Sequence, residues 1–443
     1  MNKILQISDT LSGNKVPYEP LNKDKISMYV CGVTPYDHAH VGHGRCYVTF
    51  DLLYRLLKNL GYNVKYCRNF TDVDDKLLNK AEKELGDRLR YKEIADKFID
   101  SFNEDIKKLQ CKIPNFEPRV TETIPEIIDL IQSLIDNGKA YVVDGDVYFA
   151  VRSFKDYGKL SKRKLEDLKV GARVDINDKK KDSLDFALWK AEKEGDFWKS
   201  PWGYGRPGWH IECSAMAKKF LGNQIDLHAG GMDLIFPHHE NEIAQTEACT
   251  GEQFSKYWMH NAFVQIDKEK MSKSLGNFFT LKDVLKKFDP QVVRYYYLSH
   301  SYNVPLDFSF DELEKIQKSY KRLVNIFDEV DSSQVIQESA VVNKMEKFLL
   351  DDLNTPGMFG VLFENLDILK NNKLEAAAVK KFLQDVLGLQ LLSIKEKAVE
   401  ITPEIQKLID ERLEAREQKN WSRADELRDQ LISMGLELKD RSI

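Results

Sequence analysis

The sequence predicts an α/β fold built on a doubly wound parallel sheet, with an inserted domain and a C-terminal helical bundle. Two buried strands, "KISMYVCG" (25–32) and "NVKYCRNF" (63–70), flank a helical segment at 44–62, which is the pattern of a βαβ unit with parallel strands. Another buried strand lies in "NQIDLHAGGMDLIF" (223–236), after a charged, loop-rich stretch. We therefore expect residues on both sides of an insertion to complete one sheet.

Changes of pattern along the chain divide it into segments. After residue 111 a helix and the hairpin-like "YVVDGDVYFAV" interrupt the alternation of strand and helix, and from about residue 281 the chain is helical. The helices expected in this last part cover 281–299, 309–330, 341–370, 374–392 and 403–433. The expected segments are the first half of the sheet domain (1–111), the insertion (112–205), the second half of the sheet domain (206–280), a junction (281–310), a helical bundle (311–400) and an apparently short C-terminal region (401–443).

Composition restricts the class of protein. The chain has 443 residues, of which 42% are hydrophobic and 31% charged, as is typical of a globular protein with several domains. Its net charge of −5 argues against a uniformly basic nucleic-acid binder but permits local basic patches. The sequence contains no long apolar run and no signal peptide, so we expect no membrane span and a cytoplasmic location. Six scattered cysteines without a C-x-x-C pair indicate free thiols or metal ligands.

The loop after the first strand has the features of an anion-binding site. "CGVTPYDHAHVGHGR" (31–45) leads into a helix, whose N-terminus presents unpaired N–H groups and the positive end of its dipole. His40 and His43 lie on either side of Gly42, which lets a ligand approach the backbone, so both imidazoles can face phosphate oxygens. Taken alone, this segment is explained equally well as a histidine-rich cap of a helix.

A second segment, "KEKMSKSLGNF" (268–278), contains lysines that no apolar period explains. Alone it would be a solvated surface loop, but "HVGH" and "KMSKS" together resemble the two signatures of class I aminoacyl-tRNA synthetases, with Val41 in place of the usual isoleucine. Five ordered segments resemble the cysteinyl-tRNA synthetase family within that class, from about Cys31 to Phe310 and more weakly beyond. They are "MYVCGVTPYDHAHVGHGR", "YCRNFTDVDDK", "GWHIECSAM", "DLHAGGMDLIFPHHENEIAQ" and "KMSKSLGNFFT".

The resemblance implies a Rossmann-like catalytic domain that activates L-cysteine with ATP and Mg²⁺ and then transfers it to the 3′ end of tRNA-Cys. Negative charge builds on the phosphates as the carboxylate attacks, so positioned cations and donors are required. His40 and His43 would hold the phosphates from one side, and Lys270 and Lys273 from the other. A general base is not required, because the carboxylate of cysteine is already ionised at neutral pH.

Four further residues suggest a metal site. His238 and Glu242 are four residues apart and share one helical face, whereas Cys31 and Cys213 lie far from them in the sequence. Spacing alone favours buried structural cysteines, but the resemblance implies that these four residues bind one zinc ion per chain. His239 is an alternative to His238 as the ligand. The zinc would select cysteine over serine by binding a thiolate.

Other positions follow from the resemblance as contacts with the substrates. Trp209 would pack beside the bound side chain, although an ordinary core tryptophan is nearly as good an explanation, and Thr71 would hydrogen-bond the amino acid. "GGMD" fits a contact with the ribose of ATP. The expected residues are Gly32, Thr34, Thr71 and Trp209 for the amino acid and Gly231 and Asp233 for ATP.

The expected macromolecular partner is tRNA. The stretch 152–173 holds eight Lys or Arg against three Asp or Glu, which suits contacts with phosphates, although a solvated face has the same composition. The resemblance implies that the helical bundle contacts the tRNA stem and that the C-terminal region binds the anticodon. The chain ends at "RSI" without the Gly- and Trp-containing tail common in the family, which leaves the anticodon contacts open. We expect a monomer.

Two other functions are consistent with part of the pattern. Cysteine-activating ligases of thiol-cofactor synthesis use an amino-sugar acceptor and share both signatures and the zinc site, but the charged helix at 403–433 favours the synthetase. A non-catalytic, zinc-dependent RNA-binding relative is the second alternative. The intact histidines and lysines of both signatures argue against it.

Overall fold

The structure is a computed structural model that describes residues 3–166, 179–266, 268–270, 278–333, 338–393 and 402–433. The chain forms two units, Met1–Leu392 and Ser393–Ile443. The described strands are β1 (Gln6–Asp9), β2 (Asn14–Pro17), β3 (Ile26–Val33), β4 (Val64–Phe70), β5 (Ala140–Val143), β6 (Asp146–Phe149), β7 (Phe186–Ala191), β8 (Trp198–Ser200), β9 (Gly203–Pro207), β10 (Ile225–Gly231), β11 (Ser255–Asn261), β12 (Val264–Ile266), β13 (Glu269–Lys270) and β14 (Leu306–Asp307).

The described helices of the first unit alternate with these strands and then follow one another. They are α1 (Val41–Asn59), α2 (Asp75–Leu85), α3 (Tyr91–Lys108), α4 (Ile124–Asp136), α5 (Ile211–Leu221), α6 (Glu240–Thr250), α7 (Leu281–Lys287), α8 (Pro290–Leu298), α9 (Phe310–Phe327), α10 (Ala340–Leu349), α11 (Thr355–Glu364), α12 (Leu366–Asn371) and α13 (Lys373–Asp385). Within the described ranges, no helix is both long and apolar enough to cross a membrane.

The central sheet is parallel, as the sequence predicts, and is completed from both sides of the insertion. Its strand order is β11-β10-β3-β4, and every neighbouring pair is parallel. The chain runs from β3 outward to β4, then returns after the insertion to the other side of β3. The order therefore reverses between β3 and β10, and in such sheets ligands bind at this point, outside the carboxyl ends of the strands.

Helix α1 begins at Val41, three residues before the predicted start, and lies directly after the loop that follows β3. Most of its residues are buried, and it packs against β4, β10 and β11. The helix stops at Leu60, where Gly61 adopts φ +91°. The histidine signature thus lies at the N-terminus of a rigid, buried helix.

The insertion contains a five-stranded antiparallel sheet with the order β5-β6-β7-β9-β8. The predicted hairpin is confirmed as β5 and β6, joined at Asp144 and Gly145, which both have positive φ (51° and 85°) as a two-residue hairpin turn requires. Strands β7, β8 and β9 lie in the stretch predicted to be loop-rich, so that part of the prediction is wrong. The insertion is an ordered sheet whose outer strand is only three residues long.

A small three-stranded sheet, β13-β12-β14, joins the central sheet to the helical part. Strand β12 follows β11 after two residues, pairs antiparallel with β13 and pairs parallel with β14. Because β13 ends at Lys270, this sheet leads directly into the "KMSKS" segment. Residues 271–277 lie outside the described residues.

The helical part has more breaks than the periodicity predicts. The predicted helix 281–299 is two helices, because Asp289 accepts from the N–H of Gln291 and caps a new helix that starts at Pro290. The predicted helix 309–330 is confirmed as α9.

The predicted helix 341–370 is divided into α10, α11 and α12. Asp352 and Leu353 have φ values of 60° and 54°, which no α-helix accommodates. Asn354 then caps α11 by accepting from the N–H of Gly357 at 2.9 Å.

The second unit contains a helical hairpin, α14 (Pro403–Glu417) and α15 (Trp421–Ser433). The single helix predicted over 403–433 is therefore wrong, because Lys419 has a φ of 56° and breaks it. An ion pair between Arg423 and Glu411 joins the two helices. Thr402 caps the first of them through the N–H of Ile405.

Candidate active site

A cavity of about 550 Å³ opens at the carboxyl ends of the four parallel strands. Each strand contributes a residue from its end to the wall, as the reversal of strand order between β3 and β10 leads one to expect. Most of the residues that the sequence singled out line this one cavity: Cys31, Gly32, Thr34, His40, His43, Thr71, Trp209, Cys213, Gly231, Asp233 and His238.

The two signature histidines form one stacked unit at the start of α1. Their ring centroids are 3.6 Å apart, and Nδ1 of each ring accepts from the backbone N–H of the other residue at 3.3 Å. A Cβ at Gly42 would lie only 2.9 Å from Nδ1 of His40, so this arrangement requires glycine between the histidines. With Nδ1 accepting, a neutral imidazole carries its proton on Nε2, which makes that atom a donor for an anion.

Burial and the neighbouring His40 lower the pKa of His43 well below its usual value. His43 is therefore a neutral donor at physiological pH. An anion at His43 would therefore be held by a directed N–H group and by the helix N-terminus more than by imidazolium charge.

The residues that follow the second signature lie against the first. Phe278 meets the ring of His40 edge-on, with centroids 5.5 Å apart, and both line the cavity. Backbone bonds join the N–H of Val41 to Phe279 at 3.2 Å and the N–H of Leu281 to Ala39 at 2.7 Å. The predicted phosphate ligand Lys273 lies outside the described residues. For Lys270, the structure describes a backbone that pairs with β12.

The four predicted metal ligands come together although they lie on three separate segments. One donor atom from each of Cys31, Cys213, His238 and Glu242 lies within 4.8 Å of all the others, and all four residues are buried. The Sγ atoms of the two cysteines are 3.9 Å apart, and Glu242 Oε1 is 3.1 Å from His238 Nε2. Glu242 belongs to the cluster but does not line the cavity.

The charges of this cluster are strongly coupled. The hydrogen bond with Cys31 lowers the pKa of the Cys213 thiol to about 6 against the effect of burial, whereas burial and Cys213 raise the pKa of Cys31 well above its usual value. Burial disfavours the charged forms of Glu242 and His238, yet His228 and His238 lower the pKa of Glu242 to about 2, and Glu242 raises that of His238 to about 10. Two thiols and a carboxylate buried this closely would repel one another as anions, and a bound cation removes that repulsion.

The structure distinguishes His238 from its neighbour. His238 faces the cavity and belongs to the cluster with both cysteines, whereas His239 does not line the cavity. Nε2 of His239 lies 3.2 Å from Cys31 Sγ, and its Nδ1 lies 2.8 Å from His260 Nε2. His239 also belongs to a second possible donor set, with Cys31, His228 and Glu242. Only the set that contains His238 includes both thiols.

Trp209 is not a core tryptophan. Its side chain is 40% exposed and lines the cavity, and its ring stacks on that of His238 with centroids 4.4 Å apart. It therefore forms a wall of the cavity directly beside the metal-ligand cluster.

Thr71 is held by two polar residues that the sequence analysis did not single out. Its hydroxyl donates to Glu212 Oε2 at 3.0 Å and accepts from Asn69 at 3.3 Å. Asn69 Oδ1 also accepts from the N–H of Gly32 at 2.9 Å and from Tyr29 at 3.1 Å. A signal for Asn69 was available, since it is a polar residue at the end of a buried parallel strand.

Gly231, the last residue of β10, and Asp233, which follows it, both line the cavity. A Cβ at Gly231 would lie 2.4 Å from the Asp233 carboxylate, so glycine leaves the room that this carboxylate occupies. Asp233 is exposed and lines the cavity.

The basic stretch is less available for phosphates than its composition indicates. Arg152 pairs with Asp182, and Lys159 pairs with Glu247. Residues 167–173 of this stretch lie outside the described ones.

Two protein-family models match the chain, one over its first part and one near its C-terminus. The model of the class I (C) catalytic domain of tRNA synthetases matches residues 17–318, and the model of the cysteinyl-tRNA ligase anticodon binding domain matches residues 398–442. Among solved structures, the LeuRS–tRNA–LeuAMS ternary complex of Agrobacterium radiobacter K84 is similar with a TM-score of 0.61 and 12% identity, over 84% of this chain and 85% of that chain. The methionyl-tRNA synthetase of Mycobacterium tuberculosis with methionyl-adenylate is similar with a TM-score of 0.57 and 13% identity, over 83% and 88%. At such identities the likeness concerns the fold alone.

Curated relatives are much closer in sequence. A cysteine–tRNA ligase of Geobacillus sp. (strain WCH70) is 47% identical over 98% of this chain and 97% of the relative. A cysteine–tRNA ligase of Geobacter sp. (strain M21) is 44% identical over 98% of both chains. The sequence, the parallel sheet with its signature helix and these matches agree, and the chain belongs to the cysteine–tRNA ligase family of class I aminoacyl-tRNA synthetases.

Proposed function

We propose that the chain activates L-cysteine with ATP to give cysteinyl-adenylate and pyrophosphate, and then transfers the cysteinyl group to the 3′ end of tRNA-Cys. The observation that carries this proposal is a single cavity that contains both the stacked signature histidines and a buried cluster of two thiols, an imidazole and a carboxylate. An ATP site and a thiol-selective site thus adjoin.

In the first step a carboxylate oxygen of cysteine bonds to the α-phosphorus of ATP, while the bond from that phosphorus to the β-phosphate oxygen breaks. His40 and His43 donate to phosphate oxygens from the helix side, and Lys270 and Lys273 neutralise the departing pyrophosphate, whose charge a Mg²⁺ ion would further reduce. Each such contact typically contributes about 2.7–4 kcal/mol to the stability of the transition state. In the second step a ribose hydroxyl of the terminal adenosine attacks the carbonyl carbon, AMP leaves, and the hydroxyl proton is released.

Selection of cysteine falls to a zinc ion held by Cys31, Cys213, His238 and Glu242. The donor set fits this metal, since zinc binds thiolate, imidazole and carboxylate in four-ligand sites. When bound there, zinc stabilises a thiolate sulfur but not an aliphatic hydroxyl, which separates cysteine from serine. The pair His228 and Glu242 supports the site, because His228 Nε2 lies 2.8 Å from the second carboxylate oxygen and fixes its orientation.

The other residues of the cavity orient the substrates. Thr71, held by Asn69 and Glu212, faces the amino acid together with the backbone at Gly32 and Thr34, and Trp209 covers its side chain. Gly231 and Asp233 bind the ribose of ATP, with the carboxylate accepting from hydroxyl groups.

We assign the remaining segments by position. Residues 1–111 and 206–280 form the catalytic domain, 112–205 the connective insertion and 281–310 a junction. Residues 311–400 contact the tRNA stem and 401–443 bind the anticodon. We further propose that the chain acts as a monomer in the cytoplasm. An amino-sugar acceptor is not favoured, because the C-terminal residues match an anticodon-binding family model.

The test is ATP–pyrophosphate exchange with each of the amino acids, combined with metal analysis and with charging of tRNA-Cys. We expect exchange with cysteine alone, about one zinc ion per chain, and charging only with tRNA-Cys. Exchange with serine at a comparable rate, or none with cysteine, would refute the proposal. Full exchange without charging would favour another acceptor.

A further inference from the structure

Arg45 is a buried cation on the signature helix, two residues after His43. Its side chain is 1% exposed, and among the described residues it makes no ion pair with a carboxylate. Instead, its guanidinium donates to five backbone carbonyl oxygens at 2.5–3.4 Å. These belong to Ala262, Phe263, Ser301, Tyr302 and Val304.

These carbonyls belong to two segments that both lead into the small sheet β13-β12-β14. Residues 262–263 link β11 to β12, and residues 301–304 lead towards β14. The same two segments bond each other, from the N–H of Ala262 to Tyr302 at 2.8 Å and from the N–H of Leu306 to Phe263 at 3.0 Å. Arg45 therefore binds the point at which the small sheet β13-β12-β14 begins, and that sheet leads into the "KMSKS" segment.

The far end of the same segment is joined to the same helix. Phe279 and Leu281 make backbone bonds with residues 39–41, so the chain returns from "KMSKS" directly onto the helix start. Arg45 thus holds the chain before the "KMSKS" segment, and these backbone bonds hold the chain after it. In addition, Ala262, Phe263 and Val264 line the cavity beside the signature histidines.

We propose that Arg45 is a positioning residue that sets the placement of strand β12 and of the cavity wall at 262–264 relative to His40 and His43. Its planar fork can serve carbonyls on two segments at once, whereas a lysine has one nitrogen with three donors. Small misplacements of catalytic groups cost up to about 100-fold in rate. We therefore expect loss of the hydrogen bonds of Arg45 to slow the reaction of cysteine with ATP. The inference rests on the proposed activation of cysteine by ATP.

The test compares Arg45→Lys with Arg55→Lys. Arg55 is a matched control, a buried arginine on the same helix that instead bonds Asp51, Asp385 and Gln110. We expect R45K to weaken binding of a non-hydrolysable ATP analogue and to lower kcat/KM for ATP in pyrophosphate exchange by about 10–100-fold. The KM for cysteine and the metal content should stay unchanged. R55K should lower thermal stability without a selective effect on ATP binding or on kcat/KM for ATP.

A double-mutant cycle distinguishes positioning from a general loss of stability, because a merely structural role of Arg45 would leave the effect of a second substitution at Lys273 unchanged. Lys273→Ala should cost about 10²–10³-fold in the wild-type background but only about tenfold in R45K, because β12, which leads to this lysine, is already displaced. In R55K its effect should be undiminished. Equal nucleotide affinities in R45K and R55K, or an undiminished effect of K273A in R45K, would overturn the role of Arg45. Absence of cysteine-dependent exchange in the wild-type chain would instead count against the proposed function.

Discussion

At the scale of single residues, the central question is which histidine completes the proposed metal site. His238 and His239 are both buried and adjacent, so sequence alone leaves the register open. The structure turns only His238 towards the cavity and both cysteines. His239 contacts Cys31 from behind and bonds His260, which is the arrangement of a residue that orients a ligand.

We therefore expect His238→Asn to lose stoichiometric metal and His239→Asn to retain it. Loss of an orienting residue weakens metal binding by only about 10–100-fold, which a tight site tolerates during purification. Metal analysis of the two purified variants decides the matter, with circular dichroism as the control for folding. A metal-free H239N beside a fully loaded H238N would assign the ligand to His239.

Residue-level prediction from the sequence succeeded where chemistry is carried by a contiguous motif and failed where it depends on tertiary partners. The signature histidines and the cysteines come with recognisable neighbours. Glu212 was missed because nothing local marks a residue whose partner, Thr71, lies far away in the sequence. Asn69 lies only two residues from Thr71, and its place at the end of a buried strand was the signal that could have identified it. The role of Glu212 emerges only when α5 packs against β4.

At the scale of elements, α3 carries a buried charge that the fold does not use. Asp105 is 2% exposed, and among the described residues its Oδ2 has no hydrogen-bond partner. Burial raises the pKa of Asp105 to about 6, with Lys108 and Lys282 opposing and Glu104 and Asp283 adding to the effect. The carboxylate form is thus a source of instability where α3 faces α7.

We predict that Asp105→Asn stabilises the chain at neutral pH but not at pH 4. The folded state holds the proton of Asp105 up to about pH 6, whereas the unfolded state releases it near 3.8. Stability therefore falls as the pH rises through this window, and above it the variant should gain about 1–2 kcal/mol in the free energy of unfolding. Denaturant titrations at the two pH values measure this. An equal gain at both would show that the charge is not its cause.

Element prediction was accurate for the parallel strands β3, β4 and β10, did not identify β11, and was poor for the insertion and the helical part. Strand β8 is only three residues long, and β9 carries glycine and proline in place of an alternating pattern, so their pairing is visible only in the sheet. The breaks in the predicted helix 341–370 follow from positive φ values at non-glycine residues, which periodicity does not reveal. The cap and proline of "NTPG" were the available signal.

At the scale of the whole molecule, the cavity and the C-terminal helical hairpin belong to different units. All the described residues of the cavity lie in Met1–Leu392, and the hairpin of α14 and α15 lies in Ser393–Ile443. The resemblance in the sequence already implied this division. The separate unit and the family match at 398–442 agree with it.

Deletion of residues 393–443 should leave cysteine-dependent pyrophosphate exchange nearly intact and reduce charging of tRNA-Cys by about 10²-fold. The reason is that a second binding module raises the effective concentration of the acceptor end at the cavity. Parallel assays of exchange and charging on the truncated chain measure this, and a thermal melt controls for destabilisation. Full charging by a folded truncated chain would contradict this division.

The central claim is that a metal held by two thiols, an imidazole and a carboxylate selects cysteine by binding its sulfur. Zinc K-edge X-ray absorption of the loaded protein tests it most directly, because it counts sulfur neighbours independently of activity. The sulfur of Cys31 and Cys213 should be detected without substrate. Addition of cysteine should add one further sulfur at a bond length of about 2.3 Å, and serine should leave the spectrum unchanged. A spectrum that cysteine does not alter would contradict the claim.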